Sequence, residues 1–350
     1  LPVLLSMFVM LSGITQCNTN CPDGNGGTEP CISCSVSPQI PCKTRSWNQP
    51  DGTMCDAALH PDEPDGTPCD LNGVGDGVCM SGVCEAGQAT LVLEQASKLR
   101  FIGLTATGTD NVSLDGAREH GIAVCNIRAY CTDSVVEHVF GVMLMLSHSL
   151  GAYNAAVRAG HWQQSPDFCM LTHPVPGIAG KTLGIVGFGE LGRGVARIAR
   201  AFGMEVIVSA RPGADASDDD RMPFTEMLAR ADIVTLHCPL TDDTRGLFGA
   251  DQFAAMKPNA LLINTARGAL IDSPALVAAL EGGRIAGAAI DVLAKEPPVD
   301  GDPLLDYTGD NLIVTPHIAW ATDAARQNAI DELAANVEAL LAGEERNRIV

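Results

Sequence analysis

Three short stretches carry side chains that could act together on a small anionic molecule: INTARG (263–268), IDVLAKEPP (290–298) and TPHIAW (315–320). They supply Arg267, the carboxylates of Asp291 and Glu296, and His317. A guanidinium grips a carboxylate through two parallel hydrogen bonds. An imidazole can exchange a proton with an oxygen beside it. A carboxylate bonded to that imidazole favours its charged form and keeps a proton donor available. The set suits chemistry at a carbon next to a carboxylate, where an oxygen gains or loses a proton. Taken singly, the residues have plainer readings: Arg267 as a strand-end cap, and Glu296 as the partner of neighbouring Lys295.

Such residues need strand ends to hold them, and the sequence supplies strands. Apolar runs at 98–106, 122–127, 232–237, 260–264, 285–291 and 312–315 are short and bounded by turn residues, as buried strands are. Helical periodicity fills the gaps at 223–230, 250–256 and 273–282, and an amphipathic helix is expected at 323–341. Residues 133–150 are long and apolar enough for a core or interface helix. Between them stands TLGIVGFGELGRGVARIARAFGMEVIVSAR (182–211), which reads as strand, glycine turn, helix and strand. In the turn Gly187, Phe188, Gly189, Glu190, Leu191, Gly192 the first glycine permits a sharp bend. Gly189 admits a pyrophosphate, and Gly192 lets the helix lie close on the strand. The free N–H groups of the following helix would hold the phosphates, and in this βαβ setting the pattern signifies dinucleotide binding. The fold class is therefore α/β, a doubly wound Rossmann-type parallel sheet. With a nicotinamide cofactor, Arg267, Glu296 and His317 suit hydride transfer at the carbon beside a carboxylate. The acidic residue expected at the end of the second strand is replaced by Ser209, Ala210 and Arg211. Arg211 favours a 2′-phosphate, whereas the nearby Asp215, Asp218, Asp219 and Asp220 oppose one, so NAD and NADP both stand.

The motifs in this order, GFGELG, HCPLTDDTRGLFG (237–249), INTARG, DVLAKEPP and TPHIAW, resemble the D-2-hydroxyacid dehydrogenases. WQQSPDFC (162–169) is similar to the glycerate dehydrogenase and hydroxypyruvate reductase branch. The resemblance spans about residues 91–345. It implies Arg267 as binder of the substrate carboxylate, His317 as general acid/base and Glu296 as its partner. It places Asp291 at the nicotinamide amide and Gly108, in TATGTDN (105–111), beside the substrate. It also implies cofactor contacts at Glu190, Leu191, His237, Pro239, Thr244 and Thr265, with a structural role standing as the alternative for His237. A hydroxypyruvate, glyoxylate or glycerate type of substrate and a homodimer joined through the cofactor lobe follow from the same likeness. Other histidines, His60, His120, His138, His148, His161 and His173, read as surface or core residues without a chemical partner.

The upstream quarter has another character. Nine of the 13 cysteines lie in the first 84 residues: Cys17, Cys21, Cys31, Cys34, Cys42, Cys55, Cys69, Cys79 and Cys84. Residues 17–87 have almost no aliphatic periodicity, so disulfides would have to staple them into an irregular module. DGTPCDLNGVGDGVCMSGVC (65–84) resembles the cysteine-rich module of secreted ADAMTS-type metalloproteases. Zinc is disfavoured there, since Cys31 and Cys34 form the one close pair, and no metal is expected elsewhere. Residues 1–16 hold an apolar run similar to a signal-peptide core, too short for a stable membrane span. The formal charge of −20 argues against nucleic acid as a partner. The expected domains are thus 1–16, 17–90, a partial flavodoxin-like substrate lobe at 91–132, the NAD(P)-binding domain at 133–318, and a C-terminal helix at 319–350 returning to the substrate lobe. Disulfides require an oxidising compartment while nicotinamide chemistry belongs to the cytoplasm, so residues 77–95 read as a seam between unrelated pieces. The first strands of the substrate lobe find no counterpart, and weak or lost activity is expected. The competing functions are a secreted cysteine-rich binding protein with a passenger dehydrogenase fragment, and a non-catalytic NAD(P)-binding protein.

Overall fold

The computed structural model describes residues 99–109, 111–211 and 221–350 with their side chains, and upstream of Leu99 only the backbone of short strand segments. The side chains of residues 1–98 lie outside the described residues, and with them the signal-like run, the nine cysteines and their expected disulfides. The chain divides into two compact units, Leu1–Arg128 with Ala329–Val350, and Ala129–Asn328. The expected boundaries were 132/133 and 318/319. The second unit is wider because Tyr130 packs its ring on Trp320 and Ser134 bonds to Ala319, which ties both margins to one body.

The second unit is built on a six-stranded, wholly parallel sheet. Its elements are α2 (Thr132–Ser147), α3 (Leu150–Arg158), β3 (Thr182–Val186), α4 (Glu190–Ala201), β4 (Glu205–Val208), α5 (Phe224–Arg230), β5 (Ile233–Leu236), α6 (Ala250–Ala255), β6 (Leu261–Asn264), α7 (Ser273–Glu281), β7 (Gly287–Ile290), α8 (Pro303–Asp306) and β8 (Leu312–Val314). They follow the first-unit elements β1 (Phe101–Leu104), α1 (Leu114–Glu119) and β2 (Ala123–Cys125) and precede α9 (Asp323–Ala342). The strand order is β4-β3-β5-β6-β7-β8. Successive strands are added on one side of β3 and then on the other, and such a switch in strand order opens a crevice at the carboxyl ends of the strands.

Both sheet faces are covered, so the strands are apolar throughout rather than alternating. Leu183, Ile185, Ile233, Ile263 and Ala289 join Val135, Val139 and Met143 of α2 and Val195 and Ala199 of α4 in one core. Val234, Leu236, Leu262, Ala288 and Ile290 face Met227, Phe248, Phe253 and Leu276 in the other. The helix expected at 133–150 forms as α2 but ends at Ser147, and α3 starts at Leu150. Ser149 takes a left-handed backbone, φ 50°, and its hydroxyl donates to the Pro174 carbonyl, so the chain turns before α3 begins. Among the described residues no single helix is long and apolar enough to cross a membrane.

In the first unit β1 and β2 pair in parallel, and the backbone of Phe8–Met10 runs parallel on the other side of β1 with Phe8 opposite Ile102. Ile102, Leu104 and Val124 meet Val112, Ala117 and Ile122 on one face, while Phe101, Ala123 and Cys125 meet Val337 and Leu340 of α9 on the other. The buried Asn336 donates to the Asn126 carbonyl and accepts from Arg346, whose guanidinium also grips Glu332. This polar tie sets the C-terminal segment beside β2, where Ile349 N–H donates to Val124. Gly108 lies in this unit, partly buried, in the loop after β1.

Candidate active site

The turns after β6, β7 and β8 carry Arg267, Glu296 and His317 on three adjacent strands. Asn264 shapes the first turn: its amide donates to the Arg267 carbonyl at 2.9 Å and its Oδ1 accepts from Ala266 N–H at 3.0 Å. Gly268 then brings this turn against the next one. A Cβ at Gly268 would stand 1.9 Å from the Leu293 carbonyl carbon, so only glycine admits that approach. The Arg267 guanidinium donates to the Ala266 carbonyl at 2.8 Å and is close enough for its charge to act on both His317 and Tyr130.

Glu296 is held from one side by its own turn: Oε1 accepts from Leu293 N–H at 2.7 Å. The other oxygen, Oε2, lies 2.6 Å from His317 Nδ1. That hydrogen bond raises the His317 pKa above the usual imidazole range. Partial burial and the Arg267 charge work against it, and the charges of Glu296 and Asp291 add to it. A carboxylate accepts only, so Nδ1 is the donor and Nε2 is left as the atom that can pass a proton to a substrate.

Asp291 faces inward, with its side chain 1% exposed. Oδ1 accepts from the Thr315 hydroxyl at 2.6 Å and from Ile318 N–H at 2.9 Å, and Oδ2 accepts from Ala319 N–H at 2.8 Å. Its main-chain carbonyl takes His317 N–H at 2.7 Å. The carboxylate thus clamps the loop carrying His317, whose φ of 55° is a left-handed value uncommon outside glycine. One lone pair of Oδ2 remains for a further donor.

At the switch point the glycine turn has the shape a dinucleotide requires. Gly187 has φ 95°, and a Cβ there would meet the backbone of His237 and Cys238 at 2.5 Å. A Cβ at Gly192 would lie 2.2 Å from the Gly187 carbonyl oxygen, whereas at Gly189 it would meet nothing within 4 Å. Two positions are closed by the protein and the middle one is open. Gly189 caps α4 with no side-chain hydrogen bond, leaving the first-turn N–H groups at Glu190, Leu191 and Gly192 for an anion. Thr132 Oγ1 donates to the Glu190 carboxylate, drawing that charge toward α2.

Leu236 and Asn264 are paired across β5 and β6, so His237 and Thr265 follow side by side. His237 Nε2 is 2.9 Å from Thr235 Oγ1, and burial pushes the ring pKa down to about 4, so the imidazole is neutral. Its Nδ1 and the Thr265 hydroxyl are both buried without a protein partner. Adjacent orphaned polar atoms at the mouth of this crevice fit a bound cofactor, since burying them unpaired is costly. Thr244 donates to the Pro239 carbonyl at 2.8 Å, which makes that pair a rigid loop beside them. Arg211 is exposed at the end of β4, and the acidic residues 215 and 218–220 lie outside the described residues. Among the described residues no cluster of three or more His, Cys, Asp or Glu side chains could hold a metal ion.

Four residues given no role in the sequence reading border the site. The buried Tyr130 hydrogen-bonds Cys131; burial, then Cys131, raises its phenol well above the usual range, and burial pushes the Cys131 thiol up to about 11. His138, read from sequence as partnerless, stands 3.2 Å from Thr315 Oγ1. Thr315 was legible within TPHIAW but carried no role. The signal for His138 was its spacing: with Ser134 it places two polar residues one turn apart in an apolar helix.

The profile of the D-isomer specific 2-hydroxyacid dehydrogenase NAD binding domain matches residues 140–319. The glycerate dehydrogenase of Methylorubrum extorquens is 46% identical over 256 residues, 73% of this chain and 80% of that protein. The hydroxypyruvate reductase of Blautia hydrogenotrophica is 36% identical over 255 residues, 72% of this chain and 79% of that one. Among solved structures, a D-lactate dehydrogenase from Aquifex aeolicus complexed with NAD and lactic acid superimposes with a TM-score of 0.64 at 30% identity, covering 73% of this chain and 80% of the other. With the strand order, the glycine turn and the three strand-end turns in place, the chain belongs to the D-isomer specific 2-hydroxyacid dehydrogenase family.

Proposed function

We propose that this chain reduces a small 2-oxo acid, or oxidises the matching 2-hydroxy acid, of the hydroxypyruvate, glyoxylate or glycerate type, with NAD or NADP as cofactor. The observation that carries this reading is the 2.6 Å contact of His317 Nδ1 with Glu296 on the strand end next to that of Arg267. Gly187, Gly189, Glu190, Leu191 and Gly192 would receive the pyrophosphate, and His237 and Thr265 would find partners on the cofactor. The nicotinamide, when bound, supplies or accepts the hydride.

The residues do the rest. Arg267 draws in the substrate carboxylate and fixes which carbon faces the nicotinamide, a bidentate grip that also sets orientation. His317, protonated at Nε2, donates to the substrate oxygen during reduction and takes the proton back during oxidation. Glu296 favours the imidazolium and holds Nδ1 as the donor, so the ring always presents Nε2 to the substrate. Asp291 keeps the His317 loop in register.

We also place a homodimer contact on the segment after α3. Trp162 is half exposed, and Phe168 and Leu171 are 91% and 83% exposed, more apolar surface than a single chain usually leaves in one short segment. A monomer by light scattering at micromolar concentration would remove that assignment. The function is tested by 2-oxo-acid-dependent oxidation of NADH or NADPH in wild type and Arg267→Ala. Loss of turnover with a large rise in KM supports the reading, and an unchanged KM for the acid contradicts it.

A further inference from the structure

The mechanism above leaves the polar stripe on α2 unexplained. Ser134 and His138 sit one turn apart on a helix otherwise buried through Val135, Val136, Val139, Val142 and Met143. Both face the loop that carries His317. Ser134 Oγ donates to the Ala319 carbonyl at 2.7 Å and accepts from Thr322 N–H at 3.3 Å. His138 Nε2 lies 3.2 Å from Thr315 Oγ1 and 3.8 Å from Asp291 Oδ1, with its side chain 16% exposed.

The direction of these bonds follows from proton counting. A hydroxyl has one hydrogen to give. Thr315 gives it to Asp291 Oδ1, because the Asp291 carboxylate, which takes Ile318 N–H on Oδ1 and Ala319 N–H on Oδ2, is an acceptor only. Thr315 Oγ1 must then accept from His138, so His138 Nε2 carries a hydrogen. The polar chain runs His138 to Thr315 to Asp291, and from the Asp291 carboxylate to the N–H groups of Ile318 and Ala319, the two residues that follow His317.

We propose that His138 is a positioning residue: as the Nε2–H donor it fixes Thr315, Thr315 fixes the Asp291 carboxylate, and that carboxylate holds the loop that presents His317 to Glu296. This rests on reading His317 as the acid/base, but its first test does not need turnover. A low-dielectric chain of this kind strengthens each member, and losing one end loosens the whole.

The experiment is ring-nitrogen NMR of the full chain with isotope-labelled histidines, His138 being assigned by the signal missing in His138→Gln. Above the imidazole titration range wild-type His138 is expected as the Nε2–H tautomer, and Thr315→Val should shift its Nε2 signal. A neutral His138 protonated at Nδ1, or a signal indifferent to Thr315→Val, overturns the proposal. Kinetics give the second arm. His138→Leu should lower kcat about tenfold, the scale of one lost buried hydrogen bond, while KM for the acid changes less than about twofold. His138→Gln, whose amide N–H can reach Thr315, should restore most of the loss. Unchanged kcat in His138→Leu with activity abolished in His317→Ala overturns the proposal and leaves the dehydrogenase reading intact. Full activity in His317→Ala overturns the reading itself, whatever tautomer His138 shows.

Discussion

Replacing Glu296 by Gln keeps an oxygen that His317 Nδ1 can donate to, removes the charge, and gives up the acceptor for Leu293 N–H. The imidazolium then loses a charge-assisted hydrogen bond, ordinarily about 1.5–3 kcal/mol. The two side chains are 43% and 33% exposed, so solvent screens the pair. About half of the range, about 1 kcal/mol, is the discounted figure. At 1.36 kcal/mol per tenfold this makes the His317 proton affinity about fivefold weaker. The direction of the effect differs between the two reactions. Reduction of the 2-oxo acid needs His317 protonated, so its alkaline limb moves to lower pH and the rate there falls about fivefold. Oxidation of the hydroxy acid needs His317 unprotonated, so its acid limb also moves to lower pH and the rate there holds or rises. Steady-state pH profiles in both directions, with cofactor saturating, measure this. Limbs that stay in place, or an equal loss in both directions at every pH, would refute the electrostatic reasoning.

Gly187→Ala places a methyl group 2.5 Å from the backbone after β5 at a φ of 95°. It should weaken binding of reduced cofactor at least about tenfold by fluorescence titration, since strain of about 1–3 kcal/mol falls on the turn itself; an unchanged Kd would remove the glycine turn from the cofactor site. Gly268→Ala forces apart the turns after β6 and β7 and should displace Arg267, raising KM for the acid more than KM for the cofactor. Glu332→Gln probes the first unit: the Arg346 hydrogen bond lowers the Glu332 pKa against partial burial. A depressed carboxylate contributes stability above its unfolded value and loses it as pH falls through the folded one. The Tm gap between wild type and this variant should therefore be present near neutrality, worth under about 1 kcal/mol for so exposed a pair, and close toward acid pH; a gap that widens in acid would reverse the sign.

What the sequence disclosed was what local pattern encodes. Gly187 to Gly192 could be read because a turn, an open middle position and a close helix leave a fixed spacing of small residues. The strands of the second unit could be read because burial on both faces makes short apolar runs. Arg267, Glu296 and His317 were legible as strand-end residues, and the structure brings their turns together through Gly268 and Asp291. The end of α2 at Ser147 rather than Leu150 was not legible because the turn at Ser149 is bonded to the Pro174 carbonyl, 25 residues along the chain. His138 and Tyr130 were hidden because their partners lie far along the chain, at Thr315 and at Trp320 and Arg267. Asp291 was read as facing the cofactor; that its carboxylate holds the next loop depends on a register between β7 and β8 that no local pattern carries.

The most direct test of the account is oxidation of NADH or NADPH by the whole chain in the presence of hydroxypyruvate or glyoxylate, compared with His317→Ala. The predicted result is oxidation that requires the 2-oxo acid and falls by at least about a hundredfold in the variant, the usual scale for losing a general acid. Cofactor binding without acid-dependent oxidation, or equal oxidation by His317→Ala, would contradict it.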